Sequence, residues 1–243
     1  MNSKSGIVGH VVAELFGPDG KLKSRVETSN LVTDVGDQYY GDRAVNKQGS
    51  AKTITAIATG TTAVVTTSAA HGFSVGDVVT IAGVTPSGYN GSWAITAVGS
   101  ATTFSIYVGT ALGAGTAFGT ATGQNYGQVT AMKLGTGSTA VAKNGAGAAL
   151  VTYLANSHQA MDATYPQTSG TTGGRVVTYK VTYAAGKATT ASAITEAVLV
   201  LDFLADATST AANTIARVLL TGIGSKGSLD TLTVTWSHTL LGA

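Results

Sequence analysis

Between Lys52 and Lys133 the chain carries a single charged side chain, Asp77, in a run dominated by Gly, Ala, Thr, Val and Ser. A stretch this neutral is not composed like a disordered tail, because disorder goes with low hydrophobicity and high net charge. Nor does it read as a membrane helix, since Gly, Thr or Ser interrupts every block of the ~20 apolar residues that a span requires. What remains is a set of short strands that satisfy their own backbone groups and turn hydroxyl and methyl groups outward. General acid–base chemistry uses ionisable side chains, and this part of the protein has almost none. The segment is composed as a surface and not as an active site.

Elsewhere the composition narrows the class further. Charged residues are 11% of the 243 and the net charge is +2, against about 25% charged residues in ordinary globular domains. The one basic cluster, Lys21, Lys23 and Arg25, alternates with Leu22 and Ser24, as the solvated face of a strand does. No basic stripe with interleaved aromatics marks a nucleic-acid surface. The absence of cysteine excludes disulfides and thiolate metal sites. Residues 1–10 lack the ~7–15-residue apolar run of a secretion signal, which predicts folding in a cytoplasm. Neither nucleic acid nor membrane is expected as a partner.

Periodicity predicts an all-β chain. Gly6 to Phe16 is apolar at nearly every position, the pattern of a strand covered on both faces. Gly17-Pro18-Asp19-Gly20 is a turn signal, and Lys21 to Thr28 alternates after it, so the two runs predict a hairpin. From Thr33 the period changes. A short helix is expected from about Asp34 to Val45, capped by Thr33 or Asp34. Within the neutral segment, Thr53–Thr59, Ala63–Thr67, Asp77–Ala82, Ser92–Val98 and Thr103–Val108 read as closely spaced strands of a small barrel or sandwich. The Gly-Thr-Ala units of Gly109 to Gly127 read as an exit linker. Beyond them, Gly145–Asn156 reads as a loop and strand and 157–174 as a long polar loop. Val176–Tyr183, Ile194–Leu204 and Asn213–Leu220 read as strands. The last strand is the clearest: Leu232, Val234, Trp236, His238 and Leu240 alternate with Thr231, Thr233, Thr235, Ser237 and Thr239, one face for a core and the other a hydroxyl ladder.

Two groups of motifs carry a resemblance. Asn30-Leu31-Val32-Thr33, Leu134-Gly135-Thr136-Gly137, Ile194-Thr195-Glu196-Ala197 and Leu232-Thr233-Val234-Thr235-Trp236 resemble a family of tailed-bacteriophage virion structural proteins, of the capsid decoration, cement or fibre type. In that family the flanks run on without a break. Here a segment interrupts them, from His71-Gly72-Phe73-Ser74-Val75-Gly76-Asp77 through Tyr89-Asn90-Gly91-Ser92-Trp93. It resembles a small β-module repeated in phage tail and other virion proteins. The resemblance implies a structural component of a phage particle, most simply a capsid decoration protein on the major capsid lattice. A tail, neck or fibre component is the alternative. Its partners would be the major capsid protein or other virion proteins, with homo-oligomerisation, and its location the virion, assembled in the host cytoplasm.

Several patterns imitate chemical sites. Gly72-Phe73-Ser74-Val75-Gly76 matches the nucleophile elbow G-x-S-x-G, with Asp162 and His238 following in the order of a hydrolase. That chemistry needs a strand, a strained turn and then a helix, yet a β-branched run follows Ser74. Gly222-Ile223-Gly224-Ser225-Lys226-Gly227 matches G-x-G-x-x-G, but a strand follows where a dinucleotide site needs a helix, so a hairpin loop is expected. Gly135 and Gly137 suit a turn. His10, His71, His158 and His238 share no i, i+4 helix face, so no zinc pattern exists, and His238 reads as a core or rim histidine. Asp34, Asp37 and Asp42 near Arg43 imitate a carboxylate site, but Asp34 and Asp37 read more simply as N-terminal helix charges suited to the dipole, with one of Tyr39 and Tyr40 in a core. No catalytic, cofactor-binding or metal-ligating residue is assigned, no cofactor is expected, and the protein reads as a non-enzyme. The expected architecture is an all-β discontinuous β-sandwich over 1–50 and 128–243, with one short helix and a barrel-like module inserted at 51–127.

Overall fold

The computed structural model describes residues 6–45, 47–124, 128–170, 174–201 and 206–240. Along the chain these form β1 (Ile7–Phe16), β2 (Leu22–Val32), α1 (Asp34–Ala44), β3 (Lys52–Ile57), β4 (Gly60–Thr67), β5 (Val78–Ala82), β6 (Gly91–Ser100), β7 (Thr103–Leu112) and β8 (Thr120–Thr122). They continue with β9 (Ala131–Gly135), β10 (Gln159–Ala160), β11 (Gln167–Ser169), β12 (Arg175–Tyr183), β13 (Glu196–Val200), β14 (Thr214–Leu219) and β15 (Thr231–Leu240). The protein is all-β with one helix, and it includes a closed barrel. Two compact units emerge, Met1–Gln38 with Val129–Ala243, and Tyr39–Gln128. The first junction lies inside α1, ahead of the expected 50–51.

In the first unit nine strands follow the order β10-β9-β13-β14-β2-β1-β15-β12-β11. Strand β2 turns the corner: residues up to Asn30 pair with β1, whereas Leu31 and Val32 pair with Arg217 and Ala216 of β14. A strand that changes partners in this way joins two layers of a sandwich. The registers stack side chains into rows across the inner face of β1, β15 and β12. One row is Val11, Trp236 and Tyr179, the next Ala13, Val234 and Val181, and the next Leu15, Leu232 and Tyr183. All nine are buried, so the alternation read in the last strand is the core itself. Strand β1 differs from its expectation. Only Gly9, Val11, Ala13 and Leu15 are buried along it, because its other face carries His10 and Glu14, which pair with Glu27 and Arg25 in partial solvent.

Each end of this sheet is a short strand, β10 beyond β9 and β11 beyond β12. Strand β11 pairs with Thr178 to Val176 of β12. Further along, the Asp162 N–H donates to the Lys180 carbonyl (2.8 Å). The Asp162 carboxylate accepts from the Thr182 N–H (2.8 Å) and hydroxyl (2.7 Å). At the other end, Leu154 N–H donates to the Leu134 carbonyl and Thr136 N–H to the Thr152 carbonyl. The 157–174 segment is therefore not a plain loop, since it contributes both edge strands. Residues 145–156 form a 3-10 turn and a loop held by one bridge, Gly135 to Tyr153, and not a strand. Residues 202–204 of the expected Ile194–Leu204 strand lie outside the described residues, and β13 covers Glu196–Val200 with every residue buried.

The second unit closes as β3-β4-β7-β6-β5-β8. Its core is built from Ile54, Val65, Val79, Ile81, Tyr89, Ile95, Phe104 and Ile106 with smaller neighbours, packed by Phe73 and Trp93. The Gly-Thr-Ala run read as a linker supplies β8, the strand that closes the barrel between β3 and β5. Small side chains are the reason. Ala121 is fully buried, and a Cβ on Gly119 would lie 1.9 Å from the Ala82 carbonyl oxygen. The barrel's entry and exit are paired, with Gln48 bridging Gln124 and Gly49 N–H donating to the Gly123 carbonyl (2.8 Å). Because these ends meet, deleting residues 50–122 and joining Gly49 to Gly123 through a short Gly/Ser linker should leave the first unit cooperatively folded. Circular dichroism and denaturant melts check this. A chain without a cooperative transition would show that the sandwich needs the barrel.

Candidate functional site: polar centres and outward faces

The motifs that carry the virion resemblance converge on buried polar centres. Glu196 and Arg217 are both fully buried, and they sit diagonally on β13 and β14, two residues out of register. Glu196 Oε2 accepts from Arg217 Nη2 (2.7 Å) and Nε (3.1 Å), a two-point pairing. Oε1 accepts from the backbone N–H groups of Gly137 (3.0 Å), Val151 (3.1 Å) and Thr152 (2.9 Å). The remaining guanidinium donors reach the carbonyls of Thr139 (2.9 Å) and Gly147 (3.0 Å). Thr195 completes the ring by donating its hydroxyl to the Gly137 carbonyl (2.7 Å). Leu134-Gly135-Thr136-Gly137 and Ile194-Thr195-Glu196-Ala197 thus meet around one carboxylate. Their glycines are steric requirements, since a Cβ on either Gly135 or Gly137 would lie 2.6 Å from Glu196 Oε1.

The other two motifs meet in the last row of the sandwich. Gly9 pairs with Asn30 and His238 on either side, and a Cβ there would lie 1.7 Å from the Asn30 amide oxygen. The glycine lets the Asn30 amide pass over the strand to His238 Nε2 (3.2 Å), which Trp236 Nε1–H also approaches (3.0 Å). With two donors aimed at Nε2, the ring is neutral and carries its proton on Nδ1. Burial pushes the His238 pKa down to about 3. Nearby, Thr33 caps α1 by accepting from Gly36 N–H (3.0 Å) while its hydroxyl donates to the Thr214 carbonyl (2.6 Å).

In the barrel the recognisable residues also hold structure. His71 Nδ1 accepts from Phe73 N–H (2.9 Å), its Nε2 meets the Ser100 carbonyl (3.2 Å), and burial lowers its pKa. Asn90 pairs with the Val84 backbone through both amide atoms (2.9 Å each). Tyr89, fully buried, donates to the Gly113 carbonyl (2.9 Å), and Trp93 donates to the Tyr89 carbonyl (2.7 Å). Asp77 closes the turn at Ser74, accepting from Ser74 N–H (2.8 Å) with Gly76 at φ +87°. Strand β5 follows, so the helix that a nucleophile elbow requires is not there. Asp162 and His238 belong to the other unit and are engaged as described. G-x-G-x-x-G is a partly exposed connection and not a hairpin, because β14 and β15 do not pair. Ile223 and Lys226 are buried in it, and Lys226 Nζ donates to the Ala184 carbonyl (3.0 Å).

Nor do the helix carboxylates gather. Asp34 holds Asn144, Asp37 holds Lys143, Asp42 holds Lys47, and Arg43 reaches Asp77. Tyr39 is the buried member of its pair. Among the described residues no group of three His, Cys, Asp or Glu side chains could hold a metal ion, and no helix is long and apolar enough to cross a membrane.

Two outward faces remain. One is the outer side of β2, β1, β15 and β12, where the ladder Thr231, Thr233, Thr235, Ser237 and Thr239 lies half-buried between charged neighbours. Each basic residue of the expected cluster has an acid: Lys21 with Asp19, Lys23 with Asp230 (2.8 Å), and Arg25 with Glu14 and Glu27 (2.7 Å). The other is the barrel wall, where Thr62, Val64, Val78, Thr80, Thr96 and Tyr107 are exposed and uncharged. No protein family, curated protein or solved structure matches the chain.

Two measurements follow from the polar centres. Glu196→Ala leaves a buried guanidinium unpaired and should cost about 3–5 kcal/mol in denaturant melts. In many proteins replacing both ions with apolar residues restores stability. Here Glu196→Leu with Arg217→Met should not, because three backbone N–H groups stay orphaned at about 1–3 kcal/mol each. Full recovery in the double variant would show that the backbone contacts carry nothing. For His238 the folded pKa lies below the ordinary 6.5, so its contribution is complete above 6.5 and is lost as pH falls toward 3. Between pH 7 and about 4.5 this should remove about 3 kcal/mol of stability. His238→Gln should flatten the profile by that amount, and parallel profiles would refute the assignment.

Proposed function

We propose that this chain is a structural component of a bacteriophage particle, most simply a capsid decoration or cement protein that docks on the major capsid lattice as a homo-oligomer. The observation that carries the proposal is the architecture under the motifs. Four flanking motifs resembling virion proteins supply the polar centres and core of one sandwich, and the second resemblance covers a separate closed barrel between them. The role is binding without catalysis, and no cofactor takes part.

The closed barrel offers no free strand edge, and the sandwich offers only those of the short strands β10 and β11. The outward faces serve instead, and many weak contacts sum through multivalency on a repeating lattice. With Lys21, Lys23 and Arg25 each paired to an acid of the chain, the protein should hold its neighbours by apolar and hydroxyl contacts. A tail, neck or fibre subunit is the second reading, favoured by the barrel's likeness to a tail module.

Both readings are tested on purified particles. Hundreds of copies per particle on a stained gel indicate head or tube, and a dozen or fewer indicate neck or fibre. Raising salt from 0.1 M to roughly 1 M shortens the Debye length from about 10 Å to about 3 Å, yet the protein should still sediment with the particles. Mild denaturant should strip it. Release by salt alone would overturn docking by neutral contacts, and absence from particles would overturn the virion role.

A further inference from the structure

The chain contains two Asn-Gly pairs, Asn90-Gly91 and Asn144-Gly145, and they differ in how far the backbone holds and covers them. Asn90 has both side-chain amide atoms bonded to the Val84 backbone, and Gly91 is registered opposite Ile81 in the barrel. Asn144 and Gly145 are both exposed, at the start of the 3-10 turn. A Cβ placed on Gly145 would meet nothing within 4 Å, and no backbone hydrogen bond holds the Gly145 N–H among the described residues.

We propose that Asn144-Gly145 is a self-modifying deamidation site whose product loosens the clasp between its loop and the first turn of α1. The Gly145 backbone nitrogen attacks Asn144 Cγ. The new C–N bond closes a succinimide, the Cγ–Nδ2 bond breaks, and the proton from the Gly145 nitrogen leaves with Nδ2 as ammonia. Water then opens either C–N bond of the imide, giving aspartate or isoaspartate. Glycine at the second position matters because it has no side chain to hinder the approach.

The consequence is local and electrostatic. Asn144 Nδ2 donates to Asp34 Oδ2 (2.9 Å), the Lys143 carbonyl accepts from Asp34 N–H (2.9 Å), and Lys143 pairs with Asp37. Deamidation replaces the donor facing Asp34 with a second carboxylate, so attraction becomes like-charge repulsion. The isoaspartate product also lengthens the backbone by one methylene beside the contact. Arg217 holds the loop on both sides of this point, at Thr139 and Gly147. The clasp can therefore open without unfolding the sandwich.

The test uses the full chain, aged in mildly alkaline buffer and digested with trypsin. Because no Lys or Arg lies between Lys52 and Lys133, the two sites fall on separate peptides, Thr53–Lys133 and Asn144–Arg175. The amide-to-acid mass change should accumulate on the second, with isoaspartate present, more than about tenfold faster than at Asn90, which must first open its barrel contacts. An unchanged Asn144, or equal rates at the two sites, would overturn the site. The release is read separately by hydrogen exchange at the Asp34 and Asp37 amides. These should exchange faster in Asn144→Asp than in Asn144→Gln, and identical exchange would overturn the coupling to α1.

Discussion

A single buried carboxylate organises the loop side of the sandwich. Glu196 is on a strand with no exposed residue, where an ionised group survives only if its lone pairs are filled and its charge is paired. Arg217 supplies the charge and two donors, and three backbone N–H groups fill the rest. Each of those donors belongs to the loop between β9 and β10, so satisfying the ion fixes the loop. The fixed loop in turn covers the outer side of β13, where Ala131, Leu150, Val198 and Val200 form a small apolar cluster. It also presents Lys143 and Asn144 to the first turn of α1.

The same economy governs the opposite face. Asn30, His238 and Trp236 meet where Gly9 leaves room, and the neutral imidazole accepts from both partners. Both centres place glycine where a polar side chain must cross a strand. The barrel needs neither device. Its polar side chains bond backbone atoms at the rims, as Asn90 and Tyr89 do, and its interior stays apolar. With almost no charge of its own, the barrel turns hydroxyl groups outward and is guarded from edge-to-edge pairing by closure.

The sequence by itself determined the all-β class, the alternating core of β15, the capped helix and the neutral character of the inserted segment. Each is set by local spacing, since a period of two sends side chains to opposite faces wherever a strand lies. It also predicted that strands and not helices follow Ser74 and Gly224, as β5 and β15 do. Only the tertiary structure decided which strands pair. Gly109 to Gly127 reads as a linker because Gly, Thr and Ala carry little pattern, yet β8 closes the barrel once β3 and β5 stand on either side of it. Residues 222–227 read as a hairpin because two strands flank them, yet those strands join different layers. The polar centres were legible only as motifs. That Gly137 and Glu196 touch across 59 positions, and that Asn30 crosses Gly9 to reach His238, depends on register. Register is fixed by the summed burial of whole faces, and no local stretch of sequence encodes it.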